Sequence, residues 1–223
     1  MAEPVKAKRR YDSSRRRAQA QATRVDILDA AQRLFEARGY AATTMEAIAA
    51  EAGVALKTVY VAFETKSGLL RALWNHLLRG GQDETPIAQQ DWYRDVVAEP
   101  DPVRTLERVA RESRVVKERI GATLEVIRSA AYADEDIGGL WDRIQTEFHA
   151  NQRVIVESLG PALRSELDVA TATDILWTLN HPNVCQLLVD ERDWTWEQWE
   201  RWFLDAARTQ LLQERKDGGR QGR

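Results

Sequence analysis

The sequence predicts an all-α protein built as two helical domains. Three observations carry that prediction. Apolar residues recur at helical spacing from Thr23 almost to the C-terminus, no window of alternating β-branched residues is long enough to compete, and the periodic stretches are bounded by recognisable helix starts and stops. The 223 residues, 43% apolar and 30% charged, suffice for two modest cores and sit near globular averages. A single cysteine excludes an internal disulfide framework, and no Cys/His pairs fall at zinc spacing. No apolar run reaches the length of about 18 residues that suggests a membrane span, and the polar N-terminus lacks the apolar stretch of a secretory signal, so a cytoplasmic location is expected.

The elements follow in order. Ile27, Leu28, Ala31, Leu34 and Phe35 form one helix stripe near 24–38, and Gly39 supplies the stop. Thr43 with Glu46 fits a capping box for a short second helix carrying Met45, Ile48 and Ala49, which ends before Gly53. Ala55 to Phe63 make a third helix, with Val59 and Phe63 on one face, and Ser67–Arg79 a fourth, with Leu69, Leu70, Leu73 and Leu77. Residues 80–100 read as a polar linker with a short element around Trp92–Val97. Asp101-Pro102 is an N-cap followed by proline at the first helical position, opening a long helix through Leu106, Val109, Val116, Ile120, Leu124 and Ile127. A further helix at 136–158 ends at Gly160-Pro161, and two more stretches, 168–189 (broken at His181-Pro182) and 195–213, complete the chain. The expected domains are a disordered basic arm (1–22), a first helical domain (23–79), the linker (80–100), a second helical domain (101–214) and a disordered tail (215–223).

Charge is unevenly distributed. Residues 1–24 hold eight Lys/Arg against Glu3 and Asp12, a balance of +6, and the remainder of the chain stands at −9. A basic arm on an acidic body suits polyanion binding at one end, and equally a solvated tail. With no apolar face, the arm is poorly suited to a membrane surface.

The segment 43–63, TTMEAIAAEAGVALKTVYVAF, carries the functional reading. Two short helices joined by a tight turn at Ala52-Gly53-Val54 make a helix-turn-helix, in which Gly53 takes φ > 0 and Val54 plugs the space between the helices. Such a unit sets its second helix in the DNA major groove. No acidic residue interrupts Ala52–Phe63. Lys57 suits guanine O6/N7, Thr58 or Val61 a thymine methyl, and Tyr60 a phosphate. A helical hairpin inside an ordinary bundle would show the same spacing.

Residues 23–70, reading TR..IL.AA..LF...GY..TTM..IA..AGV...TVY..F..K..LL, closely resemble the DNA-binding domain of the tetracycline-repressor (TetR) family of bacterial transcription regulators. The resemblance covers about a fifth of the chain. It implies a three-helix DNA-binding domain followed by a helical effector-binding and dimerising domain, and DNA contacts at Thr43, Thr44, Ala55, Leu56, Lys57, Thr58, Tyr60 and Lys66. Two departures stand out: Ala55 replaces a common capping serine, and Val61-Ala62 replace a position where His or another polar or aromatic residue often meets phosphate.

The last helix holds Trp194, Trp196, Trp199, Trp202 and Phe203 within ten residues. Trp196, Trp199, Phe203 and Ala206 share a stripe that one chain could bury internally. The resemblance instead implies a homodimer interface made by the last two long helices, hence a pseudo-palindromic operator. Candidate effector contacts are the large or polar residues scattered through otherwise apolar helices: Trp92, Arg128, Tyr132, Trp141, His149, Trp177, Asn180 and His181. Only Met45 accompanies the initiator methionine, which argues against a pliable Met-lined cavity.

No catalytic motif is present, and neither Asp134–Asp136 nor His181 with Cys185 makes a persuasive metal site. The expectation is therefore a non-enzymatic, cofactor-free regulator whose partners are duplex DNA, a second copy of the chain and a small-molecule effector. A constitutive helix-turn-helix protein without an effector, and a helical module that no longer binds DNA, are the competing readings.

Overall fold

The computed structural model describes residues 13–80 and 87–214. Among these residues ten α-helices and no β-strand occur. The chain divides into two compact units, the first ending at Leu73 and the second starting at Trp74. The expected division at 79 thus falls several residues earlier.

The first unit contains α1 (Ser13–Ala42), α2 (Met45–Glu51), α3 (Leu56–Phe63) and the start of α4 (Lys66–Leu78). Its interior is the expected apolar set: Ile27, Leu28, Ala31, Leu34 and Phe35 from α1, Met45, Ile48 and Ala49 from α2, and Val59 and Phe63 from α3. α1 begins at Ser13, so residues 13–22, expected as part of a disordered arm, are helical; residues 1–12 of that arm lie outside the described residues. Arg15, Arg16, Arg17 and the Ala/Gln run after them are good helix formers, and because all are exposed no apolar stripe marks them in the sequence. The helical run breaks at Gly39, as expected.

α2 is capped by Thr44, not Thr43: the Thr44 hydroxyl accepts from Ala47 N at 3.2 Å. Thr43 is fully buried and its hydroxyl donates to Gly39 O (2.8 Å), with Leu34 O at 3.2 Å, which locks the α1–α2 turn. α2 ends in a Schellman arrangement. Gly53, at φ 66°, donates to Ala50 O and Val54 N donates to Ala49 O, satisfying two terminal carbonyls. Between α3 and α4 the backbone turns sharply at Glu64 (φ 62°), and Gly68 is required by close approach, since a Cβ there would lie 2.5 Å from Phe63 O.

The second unit contains the end of α4 followed by α5 (Asp91–Val97), α6 (Pro102–Ala130), α7 (Glu135–Leu159), α8 (Val169–Leu179), α9 (Pro182–Val189) and α10 (Trp196–Leu211). Capping explains where these helices start. Asp101 accepts from Val103 N and Arg104 N, Asp134 from Ile137 N and Asp168 from Thr171 N, and Thr195 with Gln198 closes a capping box on α10. Asp134 therefore serves as a cap, and among the described residues no three His, Cys, Asp or Glu side chains gather as a metal site would need.

The short element expected around Trp92–Val97 forms as α5, but it is packed and not part of a free linker: Tyr93 (4% exposed) and Val96 (1%) belong to the second unit's core, and the Tyr93 hydroxyl donates to Asn151 O at 2.7 Å. Trp199 and Phe203, expected on a dimer face, are fully buried in the same core, their rings stacked with centroids 5.4 Å apart. A side chain with no exposure within its own chain has nothing left to present to another. Trp196 packs at the margin of that core and Ala206 is half-buried. No described helix is long and apolar enough to cross a membrane, and residues 215–223 lie outside the described residues.

Candidate nucleic-acid interface and ligand cavity

α3 has two faces. Val59 and Phe63 anchor it, while Lys57, Thr58, Tyr60 (43% exposed) and Val61 (76% exposed) point outward. Its N-cap, Ala55, is exposed and forms no side-chain cap, and Leu56 is half-buried. No acidic residue lies between Ala55 and Phe63, so nothing on α3 itself offsets the Lys57 charge. The helix is held at both ends. Near its C-terminus, Arg24 donates to Ala62 O at 2.8 Å while its guanidinium lies 4.2 Å over the Phe63 ring. Near its N-terminus, the Schellman turn fixes its departure from α2.

The other residues expected at the interface divide by burial. Thr44 is exposed, and its hydroxyl hydrogen remains available once the oxygen has capped α2. Thr43 is buried and committed to backbone carbonyls, so its side chain is a brace and not a contact; this corrects the sequence reading. Lys66 donates to Tyr40 O (2.8 Å) and Thr43 O (3.1 Å) and sits 4.2 Å over the Tyr40 ring. Its ammonium has three donors, of which two hold this turn. Val61, which the sequence reading offered beside Thr58 for a thymine methyl, is exposed on the same outward face.

Residues 27–73 match the family model described as bacterial regulatory proteins, tetR family. This stretch is a TetR-family DNA-binding domain. Among curated relatives, the chain is 32% identical over 112 residues to the HTH-type transcriptional regulator AcrR of Shigella flexneri, a match spanning 49% of each chain. It is 38% identical over 80 residues to the HTH-type transcriptional regulator TtgR of Pseudomonas putida, spanning 33% of this chain and 38% of that one. The matched stretches thus span about half or less of these relatives' length. Solved structures extend the likeness in fold. NalD, the secondary repressor of the MexAB-OprM multidrug efflux pump in Pseudomonas aeruginosa, superposes with a TM-score of 0.68 at 20% identity, over 90% of this chain and 100% of that one. A SmeT–triclosan complex superposes with a TM-score of 0.70 at 22% identity, over 88% and 93%.

The second unit holds a partly open cavity of about 410 Å³. Its wall is apolar and aromatic, with Trp74, Trp92, Phe148, Ile120, Leu124 and Ile144, and it is interrupted by a few polar groups. Of the eight sequence candidates, Trp92 and Asn180 line it. His181 stands beside the wall: its Nδ1 accepts from Asn183 N, which leaves Nε2–H to donate to the wall residue Gln145 at 3.0 Å. Burial, and after it the Lys117 charge, lowers the His181 pKa. The other five do not line the cavity. Tyr132 is 93% exposed, Arg128 pairs with Glu125 on the surface, and His149 pairs with Asp174 at 2.8 Å. Trp177 packs edge-on to His181, and Trp141 is half-buried elsewhere on α7.

The residue that sequence reasoning missed is Lys117. It lies on α6, 6% exposed, lines the cavity, and donates to Asn180 Oδ1 at 2.6 Å; Asn180 in turn donates to Gln152 Oε1 at 3.2 Å. Its ammonium lies 4.7 Å over the Trp199 ring. Burial drives its pKa down to about 7, because the charged form is costly in a poorly solvated site.

Proposed function

We propose that the protein is a homodimeric, sequence-specific DNA-binding repressor, released from a pseudo-palindromic operator by a small molecule held in the second unit. The observation that carries this reading is the two-faced α3: a rigidly anchored short helix whose outward side chains are a lysine, a threonine, a tyrosine and a valine. In a major groove Lys57 donates to guanine O6 and N7, Thr58 and Val61 contact thymine methyls, and Tyr60 and Thr44 donate to phosphates. Two copies related by a two-fold axis read two half-sites, which makes the operator symmetric. With Trp199 and Phe203 inside the core, the contribution of α10 to the dimer face falls to Trp196 and Ala206. Sedimentation or light scattering of the purified chain tests the dimer directly.

The exposed Arg15, Arg16 and Arg17 extend α1 with positive charge, and we assign them to the DNA backbone. Replacing all three with alanine is expected to weaken binding about equally on operator and random duplex. The slope of log affinity against log salt should shrink by roughly 0.9 for each phosphate no longer neutralised. An unchanged slope in a salt titration removes these arginines from the interface.

Release is a population shift. Trp74, Asn75 and Leu78, at the end of α4, line the cavity, whereas Lys66, at its start, braces the turn before α2. A ligand that favours one placement of α4 biases the spacing of the paired recognition helices. Coupling of about 1–3 kcal/mol changes operator affinity about 5- to 150-fold. Likeness to the repressor NalD supports repression as the sense of the regulation.

A further inference from the structure

Among the described residues, the cavity wall holds a buried amine with no carboxylate partner. Lys117 is buried, and among the described residues no carboxylate lies within ion-pair distance of its ammonium, whose neighbours are the Asn180 carbonyl and the Trp199 ring. A buried cation without a counterion is expensive. On the same wall, Nε of Arg79 is buried with no hydrogen-bond partner among the described residues. Lys117 and Arg79 thus both border a cavity whose remaining surface is largely aromatic and aliphatic.

We propose, resting on the reading of this cavity as the effector site, that its ligand is an aromatic weak acid whose carboxylate or comparable anionic group binds the Lys117 ammonium while its ring lies among Trp74, Trp92 and Phe148. The Asn180–Gln152 pair fixes the ammonium for this task. Asn180 accepts from Nζ and passes a hydrogen on to Gln152, so Nζ is held in place while two of its donors stay free. The surrounding groups leave the anion without a strong competitor. Cys185 on α9 is kept in its neutral thiol form by burial, which pushes its pKa to about 12. His181 is held toward neutrality by burial and by Lys117, α10 offers only the Trp199 ring, and Glu147 of α7 lies on the exposed part of the wall.

The proposal carries a proton signature. With its pKa near 7, the free amine is largely neutral at pH 8, and a bound anion raises that pKa, so binding takes up a proton. Affinity for the anion then falls by up to about tenfold for each pH unit above 7.

The test uses the full chain with two isosteric probes, 2-naphthoate and the uncharged 2-naphthamide, titrated calorimetrically at pH 8 in two buffers of different ionisation enthalpy, with Lys117→Met as the variant. The expected result is a preference for naphthoate of about 10- to 100-fold, net proton uptake by the wild type, and loss of both in Lys117→Met. Equal or tighter binding of naphthamide by the wild type, or a naphthoate preference that survives in Lys117→Met, overturns the anion proposal and leaves the cavity as a site for neutral ligands. Binding of neither probe overturns both this proposal and the effector-site reading. Should Lys117→Met fail to fold, the wild-type preference and proton uptake decide by themselves.

Discussion

Replacing Trp199 with alanine is expected to destabilise the second unit by about 3–5 kcal/mol, the cost of deleting a large aromatic side chain from a packed core. The ring is fully buried, stacks on Phe203 and forms the floor beneath the Lys117 ammonium. Little of this stability can be recovered by relaxation, because Phe203, Ala207 and Leu211, further along the same helix, are equally buried. For a chain of this size the melting midpoint should fall by roughly 6–20 °C. Trp199→Phe separates packing from hydrogen bonding. The indole Nε1 is buried without a partner among the described residues, so phenylalanine removes an unsatisfied donor while keeping most of the volume, and its cost should be much smaller. Thermal melts at several protein concentrations check the assignment. A core residue lowers the midpoint at every concentration, whereas a residue of the dimer face acts chiefly through dissociation and its effect shrinks as concentration rises.

The second large effect is on DNA. Lys57→Ala with Tyr60→Ala is expected to leave the fold nearly untouched, within about 0.5 kcal/mol, since both side chains are exposed. Operator affinity should nevertheless drop by at least about 30-fold, because each half-site is then bound without its Lys57–guanine pair and without its Tyr60–phosphate hydrogen bond. The two singles should behave differently. Lys57→Ala should act on operator far more than on random duplex because it reads a base edge, and Tyr60→Ala should weaken both. Fluorescence anisotropy on labelled duplexes at matched salt resolves the two. Thr43→Val provides the contrast: it removes a buried donor that holds the α1–α2 turn, so its first effect should be on stability.

The helix-turn-helix was legible in the sequence because its determinants are local. Met45, Ile48, Val59 and Phe63 recur at helical spacing, and Gly53 marks a turn only a flexible backbone makes easily. The cap was misplaced by one residue because Thr43 and Thr44 are chemically equivalent candidates, and only the fold decides which hydroxyl faces the helix and which the interior. The arginines of residues 15–17 gave no helix signal because an exposed helix has no apolar face to reveal it. Periodicity placed Trp199 and Phe203 on one face but could not say whether that face met its own chain or another. Lys117 was the deepest omission. It stands beside Glu118 and Arg119 in a run that reads as a solvated face, and its burial depends on α7 and on the α8–α9 turn, which close over it from far along the chain. Arg128 and Tyr132 were credited for the opposite reason, since large polar residues near a helix end resemble pocket residues until their exposure is seen.

The central claim is that α3 reads base edges, and in-vitro selection from random duplexes with the full wild-type chain and with Lys57→Ala tests it most directly. The wild type is expected to enrich an inverted repeat with a fixed guanine in each half-site, and the variant to enrich the same repeat with that position relaxed and every other position retained. Identical consensus sequences from both proteins, or no enrichment by the wild type, would contradict it.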